Sequence, residues 1–281
     1  MNFKIKEEKN VFDDHFLDVI GNEFKFDHVK GLAEWIKNSA DAYTRDNFSD
    51  DDQHILLRFS RKDAKQIIRI ECIDFVGMTK DDINKAFKRW GDPRAASRGS
   101  KKKTLGGHGN GGKFYMRQMF KMSRFLTYRN GKLNVFGFNE HRRYGFAEGY
   151  DDKPMSAPDA LAFAGIKGLN VPKRIRDVWA KSKEGVGFTL VIGEQPDKSK
   201  LKLSGILEGL CVHSQSRRLV KRKQIFAYID SDANGTQLKP QDISPYPGFE
   251  GPFQIELPKT VEWEEKNYAF WNSKYPKAYL V

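Results

Sequence analysis

The sequence predicts a fold of mixed α and β structure, because segments with helical periodicity are interspersed with segments typical of strands. Residues 28–43 place apolar side chains three and four positions apart, which predicts an amphipathic helix. Residues 54–60 and 66–73 are apolar runs joined by a polar turn, and they predict a β-hairpin that ends at Asp74. A chain of 281 residues is long enough to bury a substantial core.

The other predicted elements follow in order along the chain. Residues 79–90 predict a short helix with Thr79 as its N-cap, and residues 114–125 predict another helix. The pair Asn130 and Gly131 favours the tight turn of a second hairpin. Three further elements are a strand at 186–192, a helix at 201–218 and a strand at 224–229.

Composition excludes several classes of protein. Cys72 and Cys211 lie far apart, with no His or Cys partner at metal-ligand spacing, so we expect neither a disulfide framework nor a zinc site. This cysteine usage predicts a reducing, cytoplasmic or nuclear setting. No segment approaches the roughly 18 apolar residues of a membrane span, so we expect no membrane partner.

A first motif whose residues could bind a ligand or take part in catalysis lies in the predicted helix at residues 28–43. At about 100° per residue, Glu34, Asn38 and Asp41 fall within one narrow stripe, so a single ligand could touch all three. A Glu can accept a proton from attacking water, and an Asn amide oxygen suits Mg²⁺ held by phosphate oxygens. Ala42 is small enough for another element to pack closely. The alternative is that these polar residues are simply the solvent-facing side of the helix.

A second motif follows the predicted hairpin. Asp74 ends an apolar strand, where its carboxylate can accept a hydrogen bond from an exocyclic amino group such as that of adenine. Gly77 permits the close approach of a flat ring and a backbone conformation that side chains resist. The alternative is an Asp that caps the following turn.

The third motif is the glycine-rich run from Gly106 to Lys113. Its flexible backbone allows successive N–H groups to converge on an anion at the start of the next helix, and Lys113 adds a positive charge. A Walker A motif is disfavoured because Phe114 stands where Ser or Thr would bind the metal, and a dinucleotide fingerprint lacks its preceding strand. A plain flexible linker remains the alternative.

In this order and spacing, the three motifs resemble the GHKL superfamily of gyrase, heat-shock chaperone, histidine kinase and MutL ATPases over about residues 20–195. The GGHGNGGK run is most similar to that of the MORC ATPases. The resemblance implies a Bergerat fold, a two-layer α/β (α+β) sandwich in which helices cover one face of a mixed sheet and ATP lies between helices and a mobile lid. It implies an ATPase domain at 1–195, with the lid at about 91–113, and a smaller transducer-like α/β extension at 196–281 that could be truncated.

The resemblance also implies roles for individual residues. Glu34 would be the catalytic residue that activates water, and Asn38 would hold Mg²⁺. Asp74 would bind adenine, and Thr189 would lie at a strand end near the base. The complete set of nucleotide-binding residues that we expect is Asn38, Asp41, Ala42, Asp74, Gly77, Met78, Gly107, His108, Gly109, Asn110, Gly111, Gly112, Lys113 and Thr189.

Charge suggests a second kind of partner. The net charge of +12 is uneven, with basic clusters at 85–124 and 217–223 that favour polyanions such as DNA. A solvated surface, with a lid whose charge serves only the triphosphate, would explain the same clusters.

We therefore expect a Mg²⁺-dependent ATPase switch that hydrolyses ATP slowly, forms a homodimer on binding ATP, and acts on DNA. The family's second motif is Asp-x-Gly-x-Gly, whereas only Asp74-x-x-Gly77 is present here. The alternative is therefore a nucleic-acid-binding module with a degenerate nucleotide site.

Overall fold

The structure is a computed structural model, which describes most of the chain. The described residues are 3–8, 17–19, 27–49, 52–63, 66–88, 111–166, 168–169, 187–196, 202–222, 224–239, 253–255, 260–263, 266–269 and 278–280. The chain divides into two compact units, residues 1–241 and 242–281. The helices and the strand between residues 203 and 229 belong to the first compact unit. The boundary after residue 195, which the resemblance implied for an ATPase domain, stays a prediction.

The first unit contains a nine-stranded mixed sheet. Its strands are β1 (His54–Asp63), β2 (Gln66–Asp74), β3 (Phe120–Arg129), β4 (Lys132–Phe138), β5 (Tyr144–Phe146), β6 (Lys153–Pro154), β7 (Phe188–Pro196), β8 (Gln224–Ile229) and β9 (Thr236–Gln237). The order of the strands is β5-β4-β3-β7-β2-β1-β8-β9, and β6 pairs with β4. The pair of β1 and β8 is parallel, and the other pairs of this sheet are antiparallel.

A layer of helices packs on this sheet. The helices are α1 (His28–Arg45), α2 (Lys80–Asp82), α3 (Gly111–Gln118), α4 (Ala157–Phe163), α5 (Leu203–Val212) and α6 (Ser214–Arg222), and α2 continues as a π-helix at Ile83–Phe87. The helix α1 contacts β1 and β2, and it also contacts α3, α5 and α6. The mixed sheet with its helices confirms the predicted fold class, which is the α/β arrangement expected of a Bergerat fold.

The helix α1 is the central helix of the layer, and the sequence explains where it begins. Asp27 is its N-cap, with the side chain accepting a hydrogen bond of 2.8 Å from the Lys30 amide. The apolar stripe that predicted this helix is fully buried at Leu32, Ile36 and Tyr43. Burial of three large apolar side chains stabilises the packed helix by several kcal/mol, on the order of 1.5 to 3 kcal/mol for each.

The predicted helix at residues 114–125 is wrong in its second half. The helix α3 ends at Gln118, and β3 begins at Phe120. Residues of β3 pair with β4 on one side and with β7 on the other, so hydrogen bonds on both edges of the strand outweigh the local helical pattern.

Two other predicted helices differ in detail. The predicted helix at 79–90 begins as expected, because Thr79 and Asp82 form a capping box, but it changes to π-helical geometry at Ile83. The predicted helix at 201–218 is two helices, because His213 has an extended backbone with ψ of 134° between α5 and α6.

The described residues of the second unit form two small antiparallel pairs of strands. The strand β10 (Phe253–Ile255) pairs with β13 (Ala278–Leu280), and β11 (Thr260–Trp263) pairs with β12 (Lys266–Ala269). Across both units, no helix among the described residues is long and apolar enough to cross a membrane.

Candidate functional site

Segments that are distant in sequence meet along one side of α1. The Ser39 hydroxyl donates a hydrogen bond of 3.0 Å to Asp74 at the end of β2. On the same helix, Glu34 and Asn38 lie against the first two residues of α3. The helix α1 therefore connects the second predicted motif to the described end of the third.

Asp74 is a buried carboxylate held by several donors. Its side chain is 5% exposed, and besides Ser39 it accepts a hydrogen bond of 3.1 Å from the Val76 amide. Burial raises the pKa of Asp74 from 3.8 to about 6, and the bonds from the Val76 amide, Ser39 and the Gly77 amide act in the opposite direction. The bond to Val76 means that Asp74 also caps the turn after β2, as the alternative interpretation of this residue expected.

The turn after β2 requires glycine at position 77. Gly77 has a φ of +79°, and a β-carbon there would lie 2.1 Å from the carbonyl oxygen of Tyr128 in β3. The next residue is fixed to the same strand, because the Met78 amide donates a hydrogen bond of 2.6 Å to Thr127 Oγ1. The close neighbour of Gly77 in this structure is therefore the β3 backbone.

Two threonines continue the row of polar groups that Asp74 begins. Thr189 in β7 is the register partner of Asp74 in β2 and of Thr127 in β3, so the three side chains share one face of adjacent strands. The Thr127 and Thr189 hydroxyl oxygens are 3.1 Å apart. Thr189 was predicted, whereas Thr127 was missed, because only the strand register brings it to this row.

At the other end of the site, Glu34 forms an ion pair within α1. Lys37 Nζ lies 2.5 Å from Glu34 Oε1, and the two side chains are only 14% and 13% exposed. The second oxygen, Oε2, lies close to Gly111, since a β-carbon on that glycine would be 2.5 Å away. Lys37 was also missed, although its position one turn after Glu34 is the signal that could have indicated it.

Asn38 lies close to Gly112, the next residue of α3, as Glu34 lies close to Gly111. A β-carbon on Gly112 would lie 2.6 Å from Asn38 Nδ2, so the close approach of the two helices depends on glycine. The indole nitrogen of Trp35 donates a hydrogen bond of 3.2 Å to the Gly112 carbonyl and fixes this contact.

The polar stripe of α1 is not a solvent-facing surface. Asn38 is exposed, but Asp41 is 5% exposed and Glu34 is largely covered. Ala42 is half-buried and packs against the core, as its small size suggested. The interpretation of these residues as the wet side of an amphipathic helix is therefore wrong for two of the three.

Lys113 is buried and directed toward the end of the π-helix. Its side chain is 3% exposed, and Nζ donates a hydrogen bond of 3.1 Å to the Phe87 carbonyl at the end of the π-helix. Nζ also lies 5.6 Å from the centre of the Phe87 ring. The remaining members of the glycine-rich run lie outside the described residues: Gly106, Gly107, His108, Gly109 and Asn110.

The Glu34 end of the site offers oxygen ligands that suit a hard cation. Asn38 presents an exposed amide group next to a carboxylate, and Mg²⁺ characteristically uses one or two protein oxygens together with water and phosphate oxygens. No group of three or more His, Cys, Asp or Glu residues in the described part of the chain could hold a metal by itself.

Comparisons with known proteins identify no family for this chain. No protein-family model matches the sequence, and no curated protein matches it. Among solved structures, the chain is similar to the N-terminal domain of a DNA repair protein, at 12% identity over 86% of this chain and 63% of that chain, with a TM-score of 0.42. It is also similar to the ATPase region of Saccharomyces cerevisiae topoisomerase II bound to ICRF-187 (dexrazoxane), at 18% identity over 75% of this chain and 48% of that chain, with a TM-score of 0.42. The chain thus spans less than two thirds of either structure.

Proposed function

We propose that the protein binds Mg-ATP along the polar side of α1 and hydrolyses it slowly. The observation that carries the proposal is the arrangement around α1, where one helix contacts the buried Asp74 through Ser39 and the start of α3 through Glu34 and Asn38. The motif resemblance to GHKL ATPases, and to the MORC group among them, supports the same function.

The adenine base would lie at the Asp74 end. The ionised carboxylate can accept a hydrogen bond from the adenine amino group, and such a charge-assisted bond contributes about 1.5 to 3 kcal/mol. Thr189 stands beside Asp74 in the sheet and offers a further hydroxyl group for the base. The fully buried Thr127 would act through Thr189, because its hydroxyl is already bonded to the Met78 amide. Gly77 and Met78 would border the base from the turn.

The triphosphate would lie at the Glu34 end. Asn38 would hold Mg²⁺, which in turn would bind phosphate oxygens, and Glu34 would accept the proton of the attacking water. The amides at the start of α3 and the preceding residues Gly107 to Asn110 would surround the phosphates. Asp41 would add a polar contact near the nucleotide.

The test is calorimetric titration with Mg²⁺ and a nonhydrolysable ATP analogue, together with thermal unfolding. Selective binding to the native state raises the unfolding midpoint, so wild type should show both heat and stabilisation. Asp74→Asn should bind at least 10-fold more weakly, whereas the exposed control Asp81→Asn should bind like wild type. Absence of heat for wild type at millimolar analogue would refute the proposal.

We further propose that ATP promotes a homodimer and that a nucleic acid is the partner. The helix α6 supports the second part, because Arg218 and Lys221 are exposed and Arg217 is half-buried on a helix without acidic residues. Gel filtration with and without the analogue tests the dimer. Duplex DNA binding with a steep salt dependence tests the partner, and binding that ATP does not alter would favour a nucleic-acid module with a degenerate nucleotide site.

A further inference from the structure

The ion pair with Lys37 occupies the Glu34 carboxylate, which is the general base of the proposed reaction. Lys37 Nζ is 2.5 Å from Oε1, while Oε2 lies beside Gly111. A general base must reach the proton that it abstracts, within about 2.6 to 3.2 Å of the water oxygen. With an ammonium on one oxygen and a backbone on the other, this Glu34 carboxylate has little room for a water.

A stronger anion can displace Glu34 from Lys37. The triphosphate of ATP carries several negative charges, and Asn38, the residue proposed to hold its metal, directly follows Lys37. The flexible four-carbon stem of lysine allows the ammonium to change partners over several ångströms. Movement of Lys37 would give the phosphates a cation and would free Oε1 at the same time.

Because of the position of Lys113, a second cation at the Glu34 end of the site would help to bind the phosphates. Lys113 Nζ is buried at the Phe87 carbonyl, so in this structure it is directed to the π-helix. Lys37 Nζ, in contrast, lies beside Glu34.

We propose that Lys37 is a binding residue for the terminal phosphate of ATP, held by Glu34 until the nucleotide arrives. The inference rests on the proposed ATP site and adds a residue that distinguishes ATP from ADP. ADP lacks the terminal phosphate, so it would leave the ion pair closed and Glu34 covered. Hydrolysis would restore the pair when the phosphate leaves.

The experiment measures the affinities of Mg-ADP and of a Mg-bound nonhydrolysable ATP analogue by calorimetry. Lys37→Met should weaken the analogue about 10- to 100-fold and ADP by less than about 3-fold, because only the analogue would lose a charge-assisted contact. Lys37→Arg should keep most of the preference for the analogue. Lys121→Met, which removes a lysine from an exposed ion pair with Glu140, is the matched control and should change neither affinity.

A double-mutant cycle separates phosphate binding from neutralisation of Glu34. If Lys37 contacts phosphate, Lys37→Met should still weaken the analogue about 10-fold or more in a Glu34→Gln background. If it only compensates the charge of Glu34, the loss should disappear in that background, and the inference is wrong. An equal loss for ADP and the analogue would also overturn it.

Two further outcomes are distinguishable. If wild type binds the analogue and Lys37→Met binds it equally well, Lys37 has no phosphate role and the ATP site stands. If wild type binds neither nucleotide, the proposed function itself fails and the inference fails with it. Circular dichroism of each variant without nucleotide establishes that it is folded, and Lys37→Arg retains the charge if Lys37→Met unfolds.

Discussion

Two carboxylates on opposite ends of the candidate site are held in different ways. Asp74 is 5% exposed and receives hydrogen bonds from the Ser39 hydroxyl and the Val76 amide, which belong to α1 and to its own turn. Glu34 is paired with Lys37, a flexible side chain on the same helix, and its other oxygen lies beside Gly111. The first carboxylate is fixed by the fold, whereas the second is fixed by one exchangeable cation.

The difference indicates how the two ends would act on a ligand. Groups locked by packing and by backbone hydrogen bonds are preorganised and do not need to move when a ligand binds. A carboxylate held by a lysine can change partners, so the Glu34 end is suited to a step that begins only when phosphate is present. Recognition would therefore be built into the sheet and catalysis into side chains that rearrange.

The largest effect should come from removing the proposed base, Glu34. Glu34→Gln keeps the shape of the side chain but cannot accept a proton, so ATP turnover should fall about 100- to 10,000-fold while nucleotide binding persists. Phosphate release and calorimetry measure the two quantities separately. Asp74→Asn should show the opposite pattern, with weak binding as its main defect. Turnover by purified Glu34→Gln at the wild-type rate would show that the base is another residue.

The sequence predicted those parts of the molecule that depend on local patterns. The stripe of Leu32 and Ile36 predicted α1, and the pair Asn130 and Gly131 predicted the β3–β4 turn, where both residues have positive φ. The strand at 224–229 was predicted with its observed limits. In each case the signal lies within a few residues of the element that it specifies.

The parts that were missed depend on contacts between distant segments. Thr127 reaches the Asp74 row only through the register of β3 with β7, which no local pattern contains. The division between helix and strand at Met119 depends on the pairing of β3 with two neighbours. The sequence likewise did not predict the contact of Gly111 with Glu34, because the motif predicted phosphate contacts for this glycine and not a carboxylate neighbour.

A second prediction compares glycines at the two ends of the site. Gly77→Ala should lower the free energy of unfolding by about 2 to 4 kcal/mol, because φ is +79° and the new methyl group would meet the Tyr128 carbonyl, which is part of the sheet. Gly111→Ala should cost about 1 kcal/mol or less, because the Glu34 side chain that it meets can move. Urea denaturation measures both values.

Gly149→Ala is the matched control for the glycine comparison. Gly149 has a φ of +75°, with no atom within 4 Å of the position that a β-carbon would take. Its substitution should therefore show the backbone strain alone, about 1 kcal/mol. Equal costs for Gly77→Ala and Gly149→Ala would mean that the β3 backbone adjusts, and the Asp74 end would then be less rigid than the comparison requires.

The last comparison concerns the pH dependence of stability at Asp74. Its pKa is about 6 in the folded protein against an ordinary 3.8, so between these values the folded state holds a proton that the unfolded state has lost. The Asp74 contribution to the free energy of unfolding should therefore fall as pH rises from about 4 to about 6, by roughly 1 to 3 kcal/mol, and remain constant above.

Asp74→Asn removes this titrating group, so the variant should gain stability relative to wild type as pH rises over that interval. Urea denaturation from pH 4 to pH 8 measures the difference, with exposed Asp63→Asn as the control. A difference that does not change with pH would show that the Ser39 and Val76 hydrogen bonds compensate the burial of the charge, and Asp74 would then be ionised throughout this range.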